Sequence, residues 1–219
     1  MKIFLSSAIC LWVLLIGSSC GKNQPAVNES ATATTSVEAP AKPASEPAAD
    51  DVRNDMMNRV TYDLAFYELH GPVHVLKEEY HTITFDKDGK MISLDGYDPF
   101  TSDVYGEDYE HSVIRFHRDS KGRISEQEAW EFLERYTWNG MKMVSSRWDS
   151  EGMWGVNTYI YNADGHLTTI KATESEIDSQ PSTSTYKITY LSYDDYGNWT
   201  ARKSNGNVEK RTITYYPVP

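Results

Sequence analysis

The residues best suited to chemistry are aromatic side chains that cluster near the ends of predicted hairpins. Five of them are candidate binding residues: Trp148, Trp154, Tyr161, Tyr193 and Trp199. Exposed aromatic rings on a sheet stack on sugar rings or anchor a protein partner. The alternative for any single ring is core or cross-strand packing, which a β-rich chain needs in any case. As a set, the rings predict at least one exposed aromatic patch.

Histidines and carboxylates offer two weaker candidates for a metal site. His70 and His74 stand four residues apart, but Gly71-Pro72 between them argues against the helix that would bring both to one ion. On a strand the same spacing separates two residues by about 13 Å. Acidic residues also crowd the loop 95–110, where calcium binding stays open because Ca²⁺ takes oxygen ligands, although a solvated acidic loop needs no ion. We predict neither a metal site nor a cofactor.

The chain carries none of the common catalytic motifs. It has no Gly-x-Ser-x-Gly elbow, no glycine-rich phosphate loop and no His-Glu-x-x-His sequence. With 32 acidic residues, a carboxylate pair at glycosidase spacing would prove nothing. A net charge of −11 argues against nucleic acid as a partner, because phosphate binding needs a basic stripe. We therefore predict a protein that is not an enzyme and does not bind nucleic acid.

The first twenty residues are typical of an export signal. Lys2 precedes a short apolar run at 8–16, far below the ~20 residues that span a bilayer, and small residues follow at 17–19. Cys20 comes directly after them, an arrangement that resembles the lipobox of bacterial lipoproteins. The resemblance implies that Cys20 is acylated and becomes the mature N-terminus. The alternative is an ordinary signal peptide cleaved near Ser19.

Three segments are predicted: a signal peptide at 1–19, a lipidated Cys and disordered tether at 20–58, and a folded domain at 59–219. Ala, Pro, Ser, Thr and Glu make up 21 of the 27 residues at 24–50, too polar a composition to offset the entropy of ordering. The tether would hold the domain away from the membrane to which the lipid attaches it. No acidic residue follows Cys20 closely, which by resemblance to Gram-negative lipoprotein sorting favours the outer membrane of the cell envelope.

One local pattern recurs from residue 71 onward: a strand ending in an aromatic, a turn with Asp or Asn and Gly, and another strand. Copies occur at 83–90, 114–123, 159–167 and 191–200, with turn glycines 33, 43 and 32 residues apart. Gly supplies the positive φ of a hairpin loop, and Asp or Asn bonds the backbone of the turn. The copy at 114–123 reads as two residues longer than the first. The pattern predicts an all-β fold, an antiparallel meander of about ten hairpin strands in an open or partly rolled sheet.

The segment 125–136 is ambiguous between helix and strand. It is rich in helix formers, and its apolar residues fall at helical spacing. Read as a strand, it places Trp130 and Phe132 on one face. We favour the strand, because a helix here would leave the hairpins at Gly122 and Gly140 without partners.

The hairpins resemble the YD repeats of RHS-type proteins, whose signature is a Tyr-Asp-x-x-Gly-Asn/Arg turn followed by a strand. The copy at 193–200 matches closely, those at 85–90 and 161–167 match with a turn that reads as shortened, and the copy at 116–123 has His117 in place of Asp. The resemblance covers 71–219 and implies an architecture, not an activity. We predict a binding or structural role toward a glycan or an envelope protein. An envelope hydrolase and an antitoxin or assembly factor for a secreted partner are the alternatives.

Overall fold

The structure, a computed structural model, describes residues 49–102 and 113–218. In this part of the chain the fold is mostly β, with thirteen strands in two antiparallel sheets and two short helices. The helices are α1 (Ala49–Met57) and α2 (Tyr62–Phe66). The Thr61 hydroxyl caps α2 by accepting a hydrogen bond from the Leu64 amide at 3.1 Å. Helix α1 lies at the end of the segment predicted as a tether.

The smaller sheet has four strands in the described residues, in the order β13-β1-β2-β3. Their bounds are β1 Val73–Lys77, β2 Thr82–Phe85, β3 Met91–Leu94 and β13 Thr212–Tyr215. Strand β13 pairs with β1, so the last described strand completes the sheet that the first one begins. This long-range pairing ties the two ends of the domain together.

The larger sheet is a nine-stranded meander, as far as the structure describes it, in which each strand pairs with its neighbour in sequence. Its strands are β4 Arg115–Arg118, β5 Ile124–Ala129, β6 Phe132–Asn139, β7 Lys142–Ser150, β8 Met153–Tyr161, β9 Leu167–Glu176, β10 Ser182–Tyr193, β11 Trp199–Ser204 and β12 Asn207–Lys210. The sheet stays open, with β4 and β12 at its edges. The predicted all-β antiparallel meander is confirmed, with thirteen described strands instead of about ten.

The segment 125–136 is extended, so the preference for strand over helix is confirmed. It is not one strand, however, because β5 and β6 fold back on each other through a two-residue turn at 130–131. The closing pair is Ala129 opposite Phe132, and Glu131 takes a positive φ of 53°. Glu131 is neither Gly nor Asn, so the usual sequence signature of such a turn is missing.

The four repeated turns have the same hydrogen-bond pattern. In each, the backbone N–H of the first Asp or Asn donates to the carbonyl of the residue four positions later, and its side-chain Oδ1 accepts a hydrogen bond from that residue's amide at 2.9–3.0 Å. These first residues are Asp86, Asp119, Asn162 and Asp194. All four turns therefore have one length, and the prediction that some copies are shortened and the second is longer was wrong. Asp119, not His117, takes the place of the first Asp.

The core lies where α2 and the smaller sheet meet β4 to β7 of the larger sheet. Phe66 of α2 is buried against Phe116 and Tyr136, with ring centroids 5.8 and 5.0 Å away. Beside them, Arg118 donates to both carboxylate oxygens of the buried Asp63 at 2.6 and 2.7 Å. This two-pronged ion pair fixes α2 on the edge strand β4.

Candidate functional site

The structure divides the five aromatic candidates between two places. Trp154 lines a surface groove at one end of the larger sheet, and Trp148 lies buried beneath the same region. Tyr161 and Trp199 line a small pocket beside α2, and Tyr193 is linked to that pocket through the ring of Tyr190, which contacts both Tyr193 and Trp199. The candidates therefore do not form one site.

The groove, here called the hairpin-end groove, has a volume of about 540 Å³. The β5–β6 turn, the β7–β8 turn and the residue after β9 form it, which places three hairpin ends side by side. Its apolar lining comes from Phe132, Leu133, Met153, Trp154 and Ile177. Ile177 is 63% exposed. The groove therefore presents apolar surface to solvent.

Acidic residues border this apolar surface. Glu128, Glu131, Asp149 and Glu151 line the groove, whereas no Lys or Arg is found among the described lining residues. Asp149 already accepts a hydrogen bond from Arg147 at 3.2 Å. The Glu128 carboxylate likewise lies 3.2 Å from His117 Nε2. With four carboxylates and no Lys or Arg in its described lining, the groove attracts cations.

Trp148 supports the groove from beneath. Its indole lies over Gly155 on the neighbouring strand, where an added Cβ would come within 2.3 Å of the ring. The ring also stacks on Phe132 with centroids 6.4 Å apart, and Phe132 lines the groove. Trp148 thus packs the base of the groove, while Trp154 faces it with the Arg147 guanidinium 5.4 Å from its ring.

A buried hydroxyl lies in the same lining. Ser150 is only 7% exposed, and its Oγ has no hydrogen-bond partner within the described residues. A buried polar group without a partner is costly unless another molecule or a water satisfies it. Ser150 ends β7 and lines the groove, so it marks a position where an occupant's donor would be favourable.

The second place is the Glu68 pocket, a cavity of about 40 Å³ between the end of α2 and the larger sheet. Glu68 follows α2 with a positive φ of 54°. Its carboxylate accepts hydrogen bonds from Trp199 Nε1 at 3.0 Å, from Arg202 at 2.5 Å and from the Tyr190 hydroxyl at 3.3 Å. The carboxylate is therefore held by three donors from β10 and β11.

Trp199 is part of this internal network, not of the surface. It is 4% exposed, and the guanidinium groups of Arg202 and Arg211 lie 4.3 and 3.7 Å from its ring centroid. Arg211, at the corner between β12 and β13, donates to the backbone carbonyls of Trp199 and Tyr67 at 2.6 Å. The ring thus packs against cations that join the two sheets.

The Glu68 pocket contains a second carboxyl group with unusual electrostatics. Burial raises the pKa of Glu78 to about 7, against the opposing effect of Arg211 and Arg202. Tyr161 also lines the pocket, with its hydroxyl donating to the Met143 carbonyl at 2.7 Å. The cavity has room for a few water molecules but not for a sugar ring.

Tyr193 belongs to an exposed aromatic cluster near that pocket. It is 44% exposed, and the rings of Tyr190 and His166 lie 5.6 and 5.9 Å from it. The rings tilt toward one another instead of offering one flat platform. This cluster is a smaller candidate surface than the hairpin-end groove.

No group of three or more metal-binding side chains converges within residues 49–102 and 113–218. Asp95 accepts hydrogen bonds from the Thr82 amide at 2.7 Å and contacts His81 Nδ1 at 2.6 Å, and Asp98 accepts from the Phe100 amide at 2.9 Å. The other acidic residues of the loop 95–110, from 103 onward, lie outside the described residues, as does Cys20. No described helix is long and apolar enough to cross a membrane.

Sequence reasoning missed the acidic and aliphatic residues of the hairpin-end groove. Glu128, Glu131 and Ile177 come from three separate stretches that only the register of β5 to β9 brings together. The one local signal was Ile177, an isolated aliphatic residue within the otherwise polar segment 174–184.

Comparisons with known proteins do not add a family. No protein-family model matches this chain, and no curated protein matches it significantly. The functional argument therefore depends on the geometry and charge of the two places described above.

Proposed function

We propose that this protein is an envelope-anchored lipoprotein that binds a partner through the hairpin-end groove. Acylated Cys20 would attach it to the outer membrane, and the tether at 20–58 would hold the domain away from the bilayer. A single myristoyl-like chain gives only marginal attachment, whereas two or more chains anchor stably. The larger sheet provides the binding surface, and we set aside the alternative that the protein is an enzyme.

The observation that carries the proposal is the exposed apolar groove. Solvent-exposed apolar surface that is bordered by polar groups marks interaction sites in soluble domains. The groove exposes Ile177 and Trp154 beside carboxylates, so it combines a hydrophobic contact with charge selection. Such a surface suits a protein partner better than a glycan, because the Trp154 ring has Arg147 beside it instead of an open face.

The repeated turns support the resemblance to YD repeats as the scaffold of this binding role. All four turns share one hydrogen-bond pattern and lie at 86–90, 119–123, 162–166 and 194–198. In the larger sheet these turns lie at the end opposite the groove, since successive meander turns alternate between the two ends. The repeat motif thus serves the fold and leaves the other end for binding.

The hydrolase alternative has less support from the geometry. A hydrolase of this kind would have a deep cleft with two carboxylates close together. The Glu68 pocket does contain two carboxylates, those of Glu68 and Glu78. Its volume of about 40 Å³ does not admit a substrate, and three donors already engage Glu68. An assembly factor for a secreted partner is a special case of the binding role.

Retention of envelope components by the full-length protein in detergent tests the proposal. Ile177→Glu places a charge in the groove at an exposed position, and Val208→Glu does the same at a 54% exposed site on the edge strand β12. We expect Ile177→Glu to abolish retention of a specific component that wild type and Val208→Glu retain. Equal retention by all three proteins would contradict a role for the groove.

A further inference from the structure

Three glutamates contribute negative charge to the lining of the hairpin-end groove. Glu128 lies on β5, Glu131 in the β5–β6 turn and Glu151 in the β7–β8 turn, so they border the groove from two neighbouring hairpins. No Lys, Arg or His of the described chain lines the groove, although His117 contacts the Glu128 carboxylate from outside it at 3.2 Å. An acidic border around an apolar floor favours an occupant that has both positive charge and aliphatic side chains.

The length of the groove suits a short extended segment. From Glu128 on β5 to Ile177 after β9, the groove crosses four strand spacings of the larger sheet. At about 4.8 Å per spacing, this distance is roughly 19 Å, which an extended chain of about six residues covers at 3.3 Å per residue.

The unpartnered Ser150 hydroxyl is a second, independent sign of an occupant. It is more than nine-tenths buried and lines the groove. A backbone N–H of a bound peptide would satisfy it, since each non-proline residue of a peptide carries a donor.

We propose that the hairpin-end groove binds an extended cationic peptide segment of a partner protein, about six residues long with Lys or Arg alternating with aliphatic side chains. In an extended chain, alternate side chains point to opposite sides. The aliphatic side chains would contact Trp154 and Ile177, and the basic ones would lie near the glutamates. This inference depends on the proposed function, because it names the class of partner that the same groove accepts.

The test measures binding of fluorescein-labelled hexapeptides to the full-length protein in non-ionic detergent, corrected for binding to detergent alone. The probes are Leu and Lys in alternation, the same peptide with Gln for Lys, and the same with Glu for Lys. We expect the Lys peptide to bind, the Gln peptide to bind more weakly, and the Glu peptide to show no binding. Equal binding of the Lys and Gln peptides would overturn the inference.

A charge-matched pair of double variants separates the groove from the overall net charge of −11. Glu128→Gln with Glu131→Gln removes two charges at the groove, and Asp88→Asn with Asp195→Asn removes two from exposed turns elsewhere. We expect the first to weaken binding of the Lys peptide about tenfold, which is about 1.4 kcal/mol for two partly exposed ion pairs together, and the second to leave it unchanged. Equal weakening by both would show non-specific attraction and overturn the inference.

Failure of the cationic-peptide inference can be told apart from failure of the proposed binding function. If no peptide binds, or if chitohexaose binds and the Lys peptide does not, the cationic-peptide inference is overturned. The proposed function still stands in that case if Ile177→Glu abolishes retention of an envelope component and Val208→Glu does not.

Discussion

The carboxyl group of Glu134 is predicted to make the protein less stable as the pH rises. Glu134 lies on β6 with only 4% exposure, and accepts a hydrogen bond from the Tyr136 hydroxyl at 3.0 Å. Burial raises its pKa to about 7, although hydrogen bonds from Ser146 and Tyr136 act in the opposite direction. The folded state therefore keeps this group protonated at a pH where the unfolded chain ionises it.

The sign and size of the effect follow from this difference in pKa. Below pH 4.5 both states are protonated, and the folded state bears no penalty. Between pH 4.5 and about 7 only the unfolded state ionises, so the free energy of unfolding falls. The difference between 4.5 and about 7, at 1.36 kcal/mol per pKa unit, amounts to about 3 kcal/mol. Glu78, whose pKa burial also raises to about 7, adds a fall in the same interval.

Glu134→Gln removes the first contribution and keeps the shape of the side chain. Urea unfolding of the full-length protein, followed by tryptophan fluorescence from pH 4 to 8, measures the change because the buried Trp148 lies opposite Glu134. We expect the variant to lose about 3 kcal/mol less than wild type between pH 4.5 and 7.5. Glu79→Gln, at an exposed position, is the matched control for the charge change. An identical loss in wild type and Glu134→Gln would refute the reasoning.

Three further predictions concern packing, the ion pair between Asp63 and Arg118, and the anchor. Gly155→Ala should lower the free energy of unfolding by about 1–3 kcal/mol, because its Cβ would come within 2.3 Å of the Trp148 indole, and unfolding in urea measures this loss. Asp63→Asn should cost about 1.5–3 kcal/mol, because the buried carboxylate loses the charge-assisted hydrogen bonds that it accepts from Arg118 and from the Met91 amide, whereas the exposed Asp55→Asn should change little in the same assay. Cys20→Ser should abolish fatty-acid labelling in cells, and unchanged labelling would contradict lipidation.

The fold was predictable where local turn chemistry determines it. Asp or Asn followed by Gly three residues later specifies the hairpins at Asp86, Asp119, Asn162 and Asp194, because the side chain and the glycine act within five residues. The turn at 130–131 escaped prediction, since Glu131 adopts a positive φ without the Gly or Asn that usually signals such a turn.

The candidate site was less predictable, because its parts are distant in sequence. Trp199 pairs with Glu68, which stands 131 positions earlier, so nothing local shows that the ring is an internal partner and not a surface platform. The hairpin-end groove likewise joins residues from 128 to 177 across four strand pairings. Composition identified the aromatic residues, but the register of the sheet decided which of them face solvent.

Photo-cross-linking in cells tests the central claim most directly. Benzoylphenylalanine replaces Ile177 in the hairpin-end groove, or Val208 on β12 as the control, in the full-length protein. Both positions are more than half exposed, so the substitution at either should not disturb the fold. We expect ultraviolet light to produce a discrete cross-linked partner from position 177 and none from position 208. No adduct at 177, or the same adducts from both positions, would contradict a binding role for the groove.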